Sequence, residues 1–358
     1  MAVFVTPHGF GHACRAAAVM EELRRLDNNL RFELFTTSPP DIFSVSVGNN
    51  FGYHRIKSDV GVVQLTPLLE DLNATCEQLG LMLPFQRSLV GELAERIRSF
   101  KCRLVLCDIS PLGLQVAEAA NIPSVLVENF TWDWVYEGYL PDAPCLRPFI
   151  DQLAAIYRKA SLRIQTPPLC RAVENSIYVE PISRAIRTDR KTVRRQLGVA
   201  ESANMVVVSL GGVPDSHMFL DSLPPSLDAH LVVTGTERKN CNIHPHVTLL
   251  PPHSSFFHPD LLGAADALVG KAGYSTVAEV WQCGLPFGCI QRPHSPEADV
   301  LEAFISSELM SIEISPEEYA DGSWLHRLPE LLAMDRRQSA RVNGSTAAAK
   351  HIAELLNS

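Results

Sequence analysis

The sequence of 358 residues predicts an α/β protein built from two Rossmann-like domains. Short apolar runs alternate with amphipathic stretches along the whole chain, and the central runs Val3–Val5 and Leu104–Leu106 lack polar alternation. Such runs are typical of parallel strands that are buried on both faces. The pattern pauses near Pro181–Asp189 and then starts again, and the chain is long enough for two cores. We therefore place the domains at residues 1–180 and 181–358.

The predicted elements follow from these runs and from the helical stretches between them. In the first domain the strands are Val3–Thr6, Phe32–Thr37, Tyr53–Ile56, Leu104–Asp108, Ser124–Glu128 and Leu162–Thr166, and the helices include Gly11–Leu26, Pro84–Phe100 and Pro111–Ala120. In the second domain the strands are Met205–Leu210, His230–Thr234, Val247–Leu250, Ala267–Val269 and Gly288–Ile290. A long final helix is predicted over Asp335–Leu356.

Composition and charge exclude several classes of protein. The formal charge of −9 argues against a nucleic-acid binder, which needs a basic face. No apolar run approaches the roughly 18 residues that cross a bilayer, and Met1-Ala2 leads directly into a strand, without the pattern of a signal peptide. Nine scattered cysteines with no Cys-x-x-Cys pair indicate reduced thiols rather than disulfides or a zinc site. We therefore expect a cytoplasmic protein.

The loop after the first strand is the first candidate for a ligand site. Its glycines permit a tight turn and close approach of a ligand to the backbone. A dinucleotide fingerprint would need a third glycine where Cys14 stands, so a nicotinamide cofactor is disfavoured. The residues assigned here to acceptor binding are His8, Gly9, Phe10 and Gly11.

His12, in the first turn of the following helix, is the candidate general base. Imidazole suits proton removal from an alcohol near neutral pH, and a base needs a partner that orients it. Asp108 ends a neighbouring strand of the predicted sheet and supplies that partner. Two alternatives remain: His12 caps the helix or binds an anion, or His8 is the base. Arg15 is expected to shape the loop or to hold an acidic partner.

The second domain carries a predicted diphosphate site. Gly211 and Gly212 follow a buried strand, and a second strand leads into a turn and a helix. The helix N-terminus offers partial positive charge to a phosphate, Ser275 and Thr276 are suited to capping it, and Gly273 permits the turn. A carboxylate one turn into the helix can accept ribose hydroxyls. The donor-binding residues assigned to this segment are Gly270, Lys271, Gly273, Ser275, Thr276 and Glu279.

No Asp-x-Asp motif that would hold a divalent ion on a sugar diphosphate occurs, and the segment is not a Walker loop. We expect a metal-free site with no cofactor, in which the helix terminus takes the place of a cation. The loop after Ile290 carries Arg292 and His294, and then Glu297 and Asp299. The two carboxylates either complement the next helix dipole or face a donor sugar.

Three segments carry a family resemblance: Val5–Arg15, Asn129–Tyr136 and Leu268–Thr276. With Gly284-Leu285-Pro286, the last resembles the donor segment of MurG-like glycosyltransferases of GT-B fold. The combination is similar to the glycosyltransferase-like N-terminal region of plant L-arabinokinases and its bacterial relatives. The Gly-rich Ser-Ser-Ala phosphate loop of the kinase half is absent from the sequence, so phosphorylation of L-arabinose is not implied.

The resemblance implies two Rossmann-like domains facing across a cleft. The N-terminal domain would bind the acceptor, the C-terminal domain would bind a UDP-type sugar, and the last helix would cross back. It also implies His12 as base, Asp108 as its support and Glu279 on the ribose. The function expected is metal-independent, inverting sugar transfer to a small or lipid-linked hydroxyl acceptor. The alternatives are a non-catalytic nucleotide-sugar sensor and a nucleotide-sugar 2-epimerase.

The segment after the strand Ser124–Glu128 is expected to wall the acceptor side. Glu128 and Asn129 stand at the strand end, where they can bond to a ligand. Trp132 and Trp134 either stack on a sugar ring or fill the core. A helix face over Met82–Val90 either packs in the core or touches a membrane.

Overall fold

The computed structural model describes residues 1–66, 69–211, 217–238, 243–252, 254–290, 295–337 and 341–357. The chain divides into two compact units. Unit 1 comprises Met1–Ser183 together with Asn343–Ser358, and unit 2 comprises Arg184–Val342. This division falls three residues after the predicted boundary, and the C-terminal helix belongs to unit 1.

Unit 1 is built on a parallel sheet with strand order β3-β2-β1-β6-β7-β8-β9. A separate antiparallel hairpin is formed by β4 and β5. The short β4, β5 and β9 were not predicted. The strands are β1 (Ala2–Val5), β2 (Phe32–Thr36), β3 (Phe51–Arg55), β4 (Gln64–Thr66), β5 (Leu69–Glu70), β6 (Val105–Asp108), β7 (Ser124–Glu128), β8 (Leu162–Gln165) and β9 (Ile177–Tyr178).

Helices follow most strands of unit 1. They are α1 (Phe10–Leu26), α2 (Pro40–Val47), α3 (Leu72–Met82), α4 (Arg87–Ser99), α5 (Pro111–Ala120), α6 (Trp132–Gly138), α7 (Arg147–Tyr157), a 3-10 turn (Pro144–Leu146) and the C-terminal helix (Gly344–Asn357). The core combines the sheet with α1 and the C-terminal helix, whose Ala348, Ala349 and Ile352 are fully buried in it.

Two helix predictions in unit 1 were wrong. Met82–Val90 is not one helix face, because α3 ends at Met82 and the chain is extended at Leu83 and again at Gln86 before α4 begins. Pro84 lacks a backbone N–H and cannot continue the helical hydrogen bonds. The final helix begins at Gly344 rather than at Asp335. The side chain of Asn343 accepts a hydrogen bond from the Ser345 N–H (3.0 Å) and so caps its first turn.

Unit 2 also contains a parallel sheet, with strand order β12-β11-β10-β13-β14-β15. The strands are β10 (Met205–Ser209), β11 (His230–Thr234), β12 (Val247–Leu250), β13 (Ala267–Lys271), β14 (Phe287–Ile290) and β15 (Ser311–Ile314), of which the last was not predicted. The helices are α8 (Arg190–Leu197), α9 (His258–Ala264), α10 (Tyr274–Cys283), α11 (Ala298–Glu308), α12 (Pro316–Asp321) and α13 (Leu328–Leu332), with 3-10 turns at Met218–Ser222 and Ser323–Arg327.

Both faces of the unit 2 sheet are covered. Along β10, Met205 and Val207 belong to one apolar cluster, whereas Val206 and Val208 belong to the cluster on the other face. This arrangement explains why the strand shows no polar alternation in the sequence. In both units the strand order reverses beside the first strand, between β1 and β6 and between β10 and β13. In open α/β sheets, ligands bind at that reversal, beyond the carboxyl ends of the strands.

The expectation of reduced thiols was wrong for one pair. Cys76 of α3 and Cys145 of the 3-10 turn form a disulfide across 69 positions of sequence, with 6.3 Å between their Cα atoms. Sequence spacing gave no indication of it, because packing of α3 decides which cysteines meet. The cysteines at 14, 102, 107, 170, 283 and 289 are thiols. Among the described residues, no helix is long and apolar enough to cross a membrane.

Candidate functional site

The turn between β1 and α1 places His12 at the reversal point of the unit 1 sheet. Gly9 precedes the helix with φ 80°, a left-handed conformation that favours glycine. His12 is the third residue of α1. Val5 at the end of β1 pairs in register with Asp108 at the end of β6, so the turn after β1 and the start of α1 lie beside the end of β6.

His12 and Asp108 form a buried pair. Nδ1 of His12 lies 2.9 Å from Oδ1 of Asp108, and the two residues are 8% and 1% exposed. Nε2 of His12 makes no hydrogen bond within the part of the chain that the structure describes. The pairing matches the arrangement of a histidine base with an orienting carboxylate.

Arg15 completes a group that we call the base cluster (His12, Arg15 and Asp108). Its Nε donates to Oδ2 of Asp108 and its Nη2 donates to Oδ1, both at 2.7 Å. Nη2 also lies 3.3 Å from Nδ1 of His12, and Nη1 donates to the side-chain oxygen of Asn129. Arg15 therefore holds an acidic partner, one of the two roles that the sequence suggested.

Charges within the base cluster fix the proton on His12. Burial would raise the pKa of Asp108, but the Arg15 guanidinium and the hydrogen bond from His12 hold that pKa below its usual value. Burial lowers the pKa of His12, against the opposing effect of Asp108. Because Asp108 is then an acceptor only, the neutral imidazole carries its proton on Nδ1 and presents Nε2 as a base.

The predicted acceptor residues divide by exposure into a group in the first loop, which is at least partly exposed, and a buried group at and after the end of β7. Gly9 and Phe10 are exposed, Gly11 is partly exposed, and Phe10 retains 40% of its surface. His8 is half-buried, with its ring edge-on to Trp132 at 5.1 Å between centroids.

The second group is buried and consists of Glu128, Asn129 and Trp132. Each of them contacts other residues of unit 1. Glu128 accepts from Gln165 (2.6 Å) and pairs with Arg163, while the Asn129 amide donates to the Thr166 carbonyl. Trp132 is 2% exposed and packs among Phe130, His8 and Tyr136. Its indole N–H has no hydrogen-bond partner among the described residues. Trp134 is more exposed than Trp132.

Asp59 is a buried acid near the base cluster that sequence reasoning missed. It is 3% exposed, and its carboxyl accepts from the hydroxyls of Thr6 (2.7 Å) and Ser58 (3.1 Å). Burial raises the pKa of Asp59 to about 7, although both hydroxyls act in the other direction. It lies in the loop after β3, where no periodic pattern distinguishes a buried acid from a solvated one.

In unit 2, the donor-side glycines lie at the corresponding reversal point. Gly211 follows β10 and is exposed, whereas Gly212 lies outside the described residues. Gly270 of β13 pairs with Ser209 of β10, and a Cβ there would come 2.2 Å from the Ser209 carbonyl oxygen. Only glycine therefore allows the two strands to approach so closely.

The start of α10 differs from the prediction in its cap. Gly273 is the N-cap, and within the described residues the helix has no side-chain cap hydrogen bond, while Ser275 and Thr276 occupy its second and third positions. Gly273 has extended backbone that any residue adopts, and a Cβ there would meet nothing within 4 Å. The absence of a side chain at Gly273 is therefore not required by the turn, and it leaves space beside the helix terminus among the described residues. Lys271 ends β13 just before it and is partly exposed.

Glu279 belongs to a second buried group, which we call the glutamate cluster (Arg184, His258 and Glu279). Arg184 donates to Oε1 from Nε and Nη2 at 3.2 and 3.0 Å, and Nδ1 of His258 lies 2.8 Å from Oε2. Burial would raise the pKa of Glu279, but the charge of Arg184 and the hydrogen bonds from Arg184 and His258 lower it to about 2. The sequence analysis named neither partner, because both come from distant segments.

Glu297 and Asp299 mark the start of α11. Glu297 is the N-cap, its carboxylate accepts from the Ser295 hydroxyl at 3.2 Å, and Asp299 stands exposed in the first turn. Both positions suit a negative charge beside a helix N-terminus. Arg292 and His294 lie outside the described residues.

The architecture of both units defines the class of the protein. Its two parallel-sheet α/β units correspond to the GT-B fold of nucleotide-sugar glycosyltransferases, as solved structures show. CalG4, the calicheamicin glycosyltransferase, aligns with a TM-score of 0.66 at 16% identity, covering 99% of this chain and 98% of that one. UGT89C1 of Arabidopsis thaliana, solved in complex with UDP, gives 0.62 at 12% identity, with coverage of 99% and 98%. MurG of Acinetobacter baumannii gives 0.57 at 14% identity, with 99% of each chain covered.

Sequence similarity connects the chain to a particular relative. It is 28% identical over 358 residues to L-arabinokinase of Arabidopsis thaliana, a match that covers 99% of this chain and 34% of that protein. The chain thus spans about a third of the length of this relative. No family model matches the sequence. The resemblance to MurG-like GT-B proteins and to L-arabinokinases is confirmed, and so is the predicted fold class.

Proposed function

We propose that the chain transfers a sugar from a nucleotide diphosphate sugar, most simply a UDP-sugar, to the hydroxyl of an acceptor. The observation that carries the proposal is the buried pair of His12 and Asp108, which leaves Nε2 of His12 as the basic atom. The fold supports it, since CalG4 is a glycosyltransferase and UGT89C1 was solved with UDP.

In the proposed reaction, Nε2 of His12 removes the proton from the acceptor hydroxyl as the hydroxyl oxygen attacks the anomeric carbon. The bond from that carbon to the phosphate oxygen breaks, and its electron pair leaves on the nucleotide diphosphate. A single displacement inverts the anomeric centre. Asp108 stabilises the imidazolium that forms, and the proton then passes to solvent.

On the donor side, we propose that the open N-terminus of α10 receives the diphosphate. About half a positive charge resides at a helix N-terminus, and here no acidic side chain stands in the first turn. The backbone at Gly211, Gly270 and Gly273, and the side chains of Lys271, Ser275 and Thr276, would complete a metal-free site. Gly212 is assigned with them from the sequence.

Glu279 has less capacity for the ribose than the sequence suggested. A carboxylate offers about four lone-pair directions, of which Arg184 and His258 occupy three. We propose that one ribose hydroxyl uses the remaining direction. Glu297 and Asp299 are proposed to face the donor sugar.

The proposed acceptor is a small or lipid-linked hydroxyl compound, bound by the exposed part of the first loop. His8–Gly11 would contact it directly, while Glu128, Asn129 and Trp132 would support that loop from beneath. We propose that the protein acts in the cytoplasm, since six described cysteines are thiols, although the Cys76–Cys145 disulfide is unusual for that compartment.

A ligand screen tests the proposal. Thermal unfolding should be measured with UDP, GDP, dTDP and their glucose conjugates. A ligand at 100 times its Kd stabilises the folded state by about 2.7 kcal/mol, so one nucleotide series should raise the Tm. No stabilisation by any of them would refute the donor site.

Product analysis with the nucleotide sugar that binds then separates the candidate activities. Transfer releases the nucleotide diphosphate and glycosylates an acceptor, whereas a 2-epimerase leaves the diphosphate bond intact. Saturable binding without turnover against a broad panel of hydroxyl acceptors would instead identify a sensor.

A further inference from the structure

We infer that Arg15 is a positioning residue that clamps Asp108 in one orientation and neutralises its charge, so that His12 remains an uncharged base with a fixed tautomer. The inference rests on the proposed role of His12. It adds a third member to the pair, one that neither contacts the reacting atoms nor exchanges a proton.

The geometry of the guanidinium is the first argument. Nε and Nη2 of Arg15 each donate to a different oxygen of Asp108 at 2.7 Å, a bidentate pairing that fixes the carboxylate plane. Nη1 is held by the side-chain oxygen of Asn129, whose amide group donates to the carbonyls of Thr166 (2.6 Å) and Pro168 (3.2 Å). Arg15 itself is 6% exposed. The carboxylate behind His12 is therefore held in one orientation by buried groups of unit 1.

Charge balance is the second argument. A histidine beside a lone buried carboxylate is readily protonated, because the carboxylate favours the cation. In the base cluster the Arg15 cation compensates that carboxylate and also lies 3.3 Å from Nδ1 of His12. The imidazole consequently faces a pair with no net charge, and it stays neutral until a proton arrives from an acceptor hydroxyl.

The groups around His12 come from several elements of unit 1. The Phe130 ring stands edge-on to the imidazole at 5.6 Å between centroids and carries no charge. Asp59 acts on the cluster through its electrostatic repulsion of Asp108. Two charged groups act on His12 directly, Arg15 on α1 and Asp108 on β6. Among the described residues, Cys107 and Asp59 act on it through Asp108, Glu128 on β7 acts through Arg15, and Lys57 acts through Asp59.

Histidine titration by NMR tests the inference without any substrate. The full chain, labelled with ¹³C and ¹⁵N in its 12 histidines, is titrated from pH 4.5 to 8.5, and His12→Gln identifies the resonance of His12. We compare wild type with Arg15→Gln and Arg15→Lys. Arg25→Gln is the matched control, since Arg25 is on the same helix but 55% exposed and pairs with Glu21 and Glu22 on the surface of that helix.

In Arg15→Gln we expect the pKa of His12 to rise by about 1, because Asp108 then faces the imidazole uncompensated. Arg15→Lys keeps the positive charge but loses the bidentate hydrogen bonds of the guanidinium, so it should raise the pKa of His12 by a smaller amount. Arg25→Gln should leave the pKa unchanged. The ¹⁵N shifts of wild type should show Nδ1 protonated and Nε2 unprotonated.

A pKa of His12 that is the same in Arg15→Gln as in wild type would overturn the inference. If Arg15→Gln does not fold, the test uses Arg15→Lys instead. An unchanged pKa and tautomer of His12 in Arg15→Lys would then overturn the inference. Absence of sugar transfer by wild type would refute the proposed function and leave these titrations intact, so the two failures are distinguishable. Where transfer is found, the acid limb of its pH profile should move upward with the pKa of His12.

Discussion

Each unit contains a buried carboxylate that an arginine and a histidine hold together, but the two clusters distribute the bonds differently. In the base cluster, Arg15 spans both oxygens of the carboxylate, and the histidine shares one of them. In the glutamate cluster, Arg184 takes one oxygen and the histidine takes the other.

The second difference lies at Nε2 of each histidine. In His12 this atom makes no hydrogen bond to any described residue, and it is not fully buried. Nε2 of His258 is buried and has no partner in the described ranges. We propose that the base cluster in unit 1 serves proton transfer, whereas the glutamate cluster mainly fixes the structure of unit 2. Four predictions test that contrast.

The largest effect should follow removal of the proposed base. His12→Ala is expected to reduce the rate of sugar transfer by about 10²–10⁴-fold, the usual cost of losing a general base. The measurement is release of UDP from UDP-glucose with the acceptor identified by the screen. His8→Ala is the matched comparison, since His8 is the alternative base in the same loop. A large loss in His8→Ala with little change in His12→Ala would reverse the assignment.

Asp59 should show what a buried carboxylate does without an arginine clamp. The pKa of Asp59 is about 7 in the folded protein, whereas the ordinary value of an aspartate is 3.8. Between pH 3.8 and pH 7 the folded state therefore keeps a proton that the unfolded state has lost. Stability should therefore fall as pH rises through this window, by at most about 4 kcal/mol.

The check is hydrogen exchange of unit 1 peptides at pH 5 and pH 8, with rates corrected for the intrinsic effect of pH. Asp59→Asn should remove most of the pH dependence, while Asp151→Asn, at an exposed position of α7, should retain it. Equal slopes in both variants would show that Asp59 does not titrate in this range.

Glu279→Gln tests the structural role of the glutamate cluster. The substitution keeps the shape but leaves Arg184 without its counter-charge, and we expect unit 2 to lose about 3 kcal/mol. Since the pKa of Glu279 is about 2, against an ordinary value of 4.5, its stabilisation is present above pH 4.5 and is lost as pH falls toward 2.

Urea denaturation at pH 7 and pH 3 measures this contribution, with hydrogen exchange to confirm that the loss is confined to unit 2. Glu302→Gln, on the exposed surface of α11, is the control. If Glu279→Gln weakens UDP binding but does not change stability, then the residue serves the ligand and not the fold.

The smallest effect on stability is expected at the N-terminus of α10, where a substitution can affect ligand binding without affecting the fold. A Cβ at Gly273 meets open space, so Gly273→Ala should change stability by less than about 0.5 kcal/mol. If a diphosphate approaches this helix terminus, the added methyl group should weaken UDP binding about tenfold. Isothermal titration with UDP measures it, and an unchanged Kd would argue against a phosphate at this position. Gly270→Ala, with its clash against Ser209, should instead destabilise unit 2.

Prediction from the sequence succeeded where the pattern is local. Ser124–Glu128, His230–Thr234, Val247–Leu250 and Pro111–Ala120 have the predicted bounds, because apolar runs and flanking turns specify them directly. The contact of His12 with Asp108 was also anticipated, since His12 begins the helix after β1 and Asp108 ends β6, which is the neighbour of β1 in a doubly wound sheet. The short strands and the start of the C-terminal helix were missed, because they depend on packing partners and caps more than on periodicity.

The sequence by itself determined the class of fold, the positions of most strands along the chain and the identity of the loops that carry polar residues, because each of these follows from the spacing of apolar side chains along the chain. Only the tertiary structure decided which arginine meets each buried carboxylate. Arg15 and Asp108 are separated by 93 positions, and Arg184 and Glu279 by 95. Burial of an ion is tolerated only when a counter-charge meets it, and which residues meet is set by packing across the sheet, where sequence spacing no longer carries information.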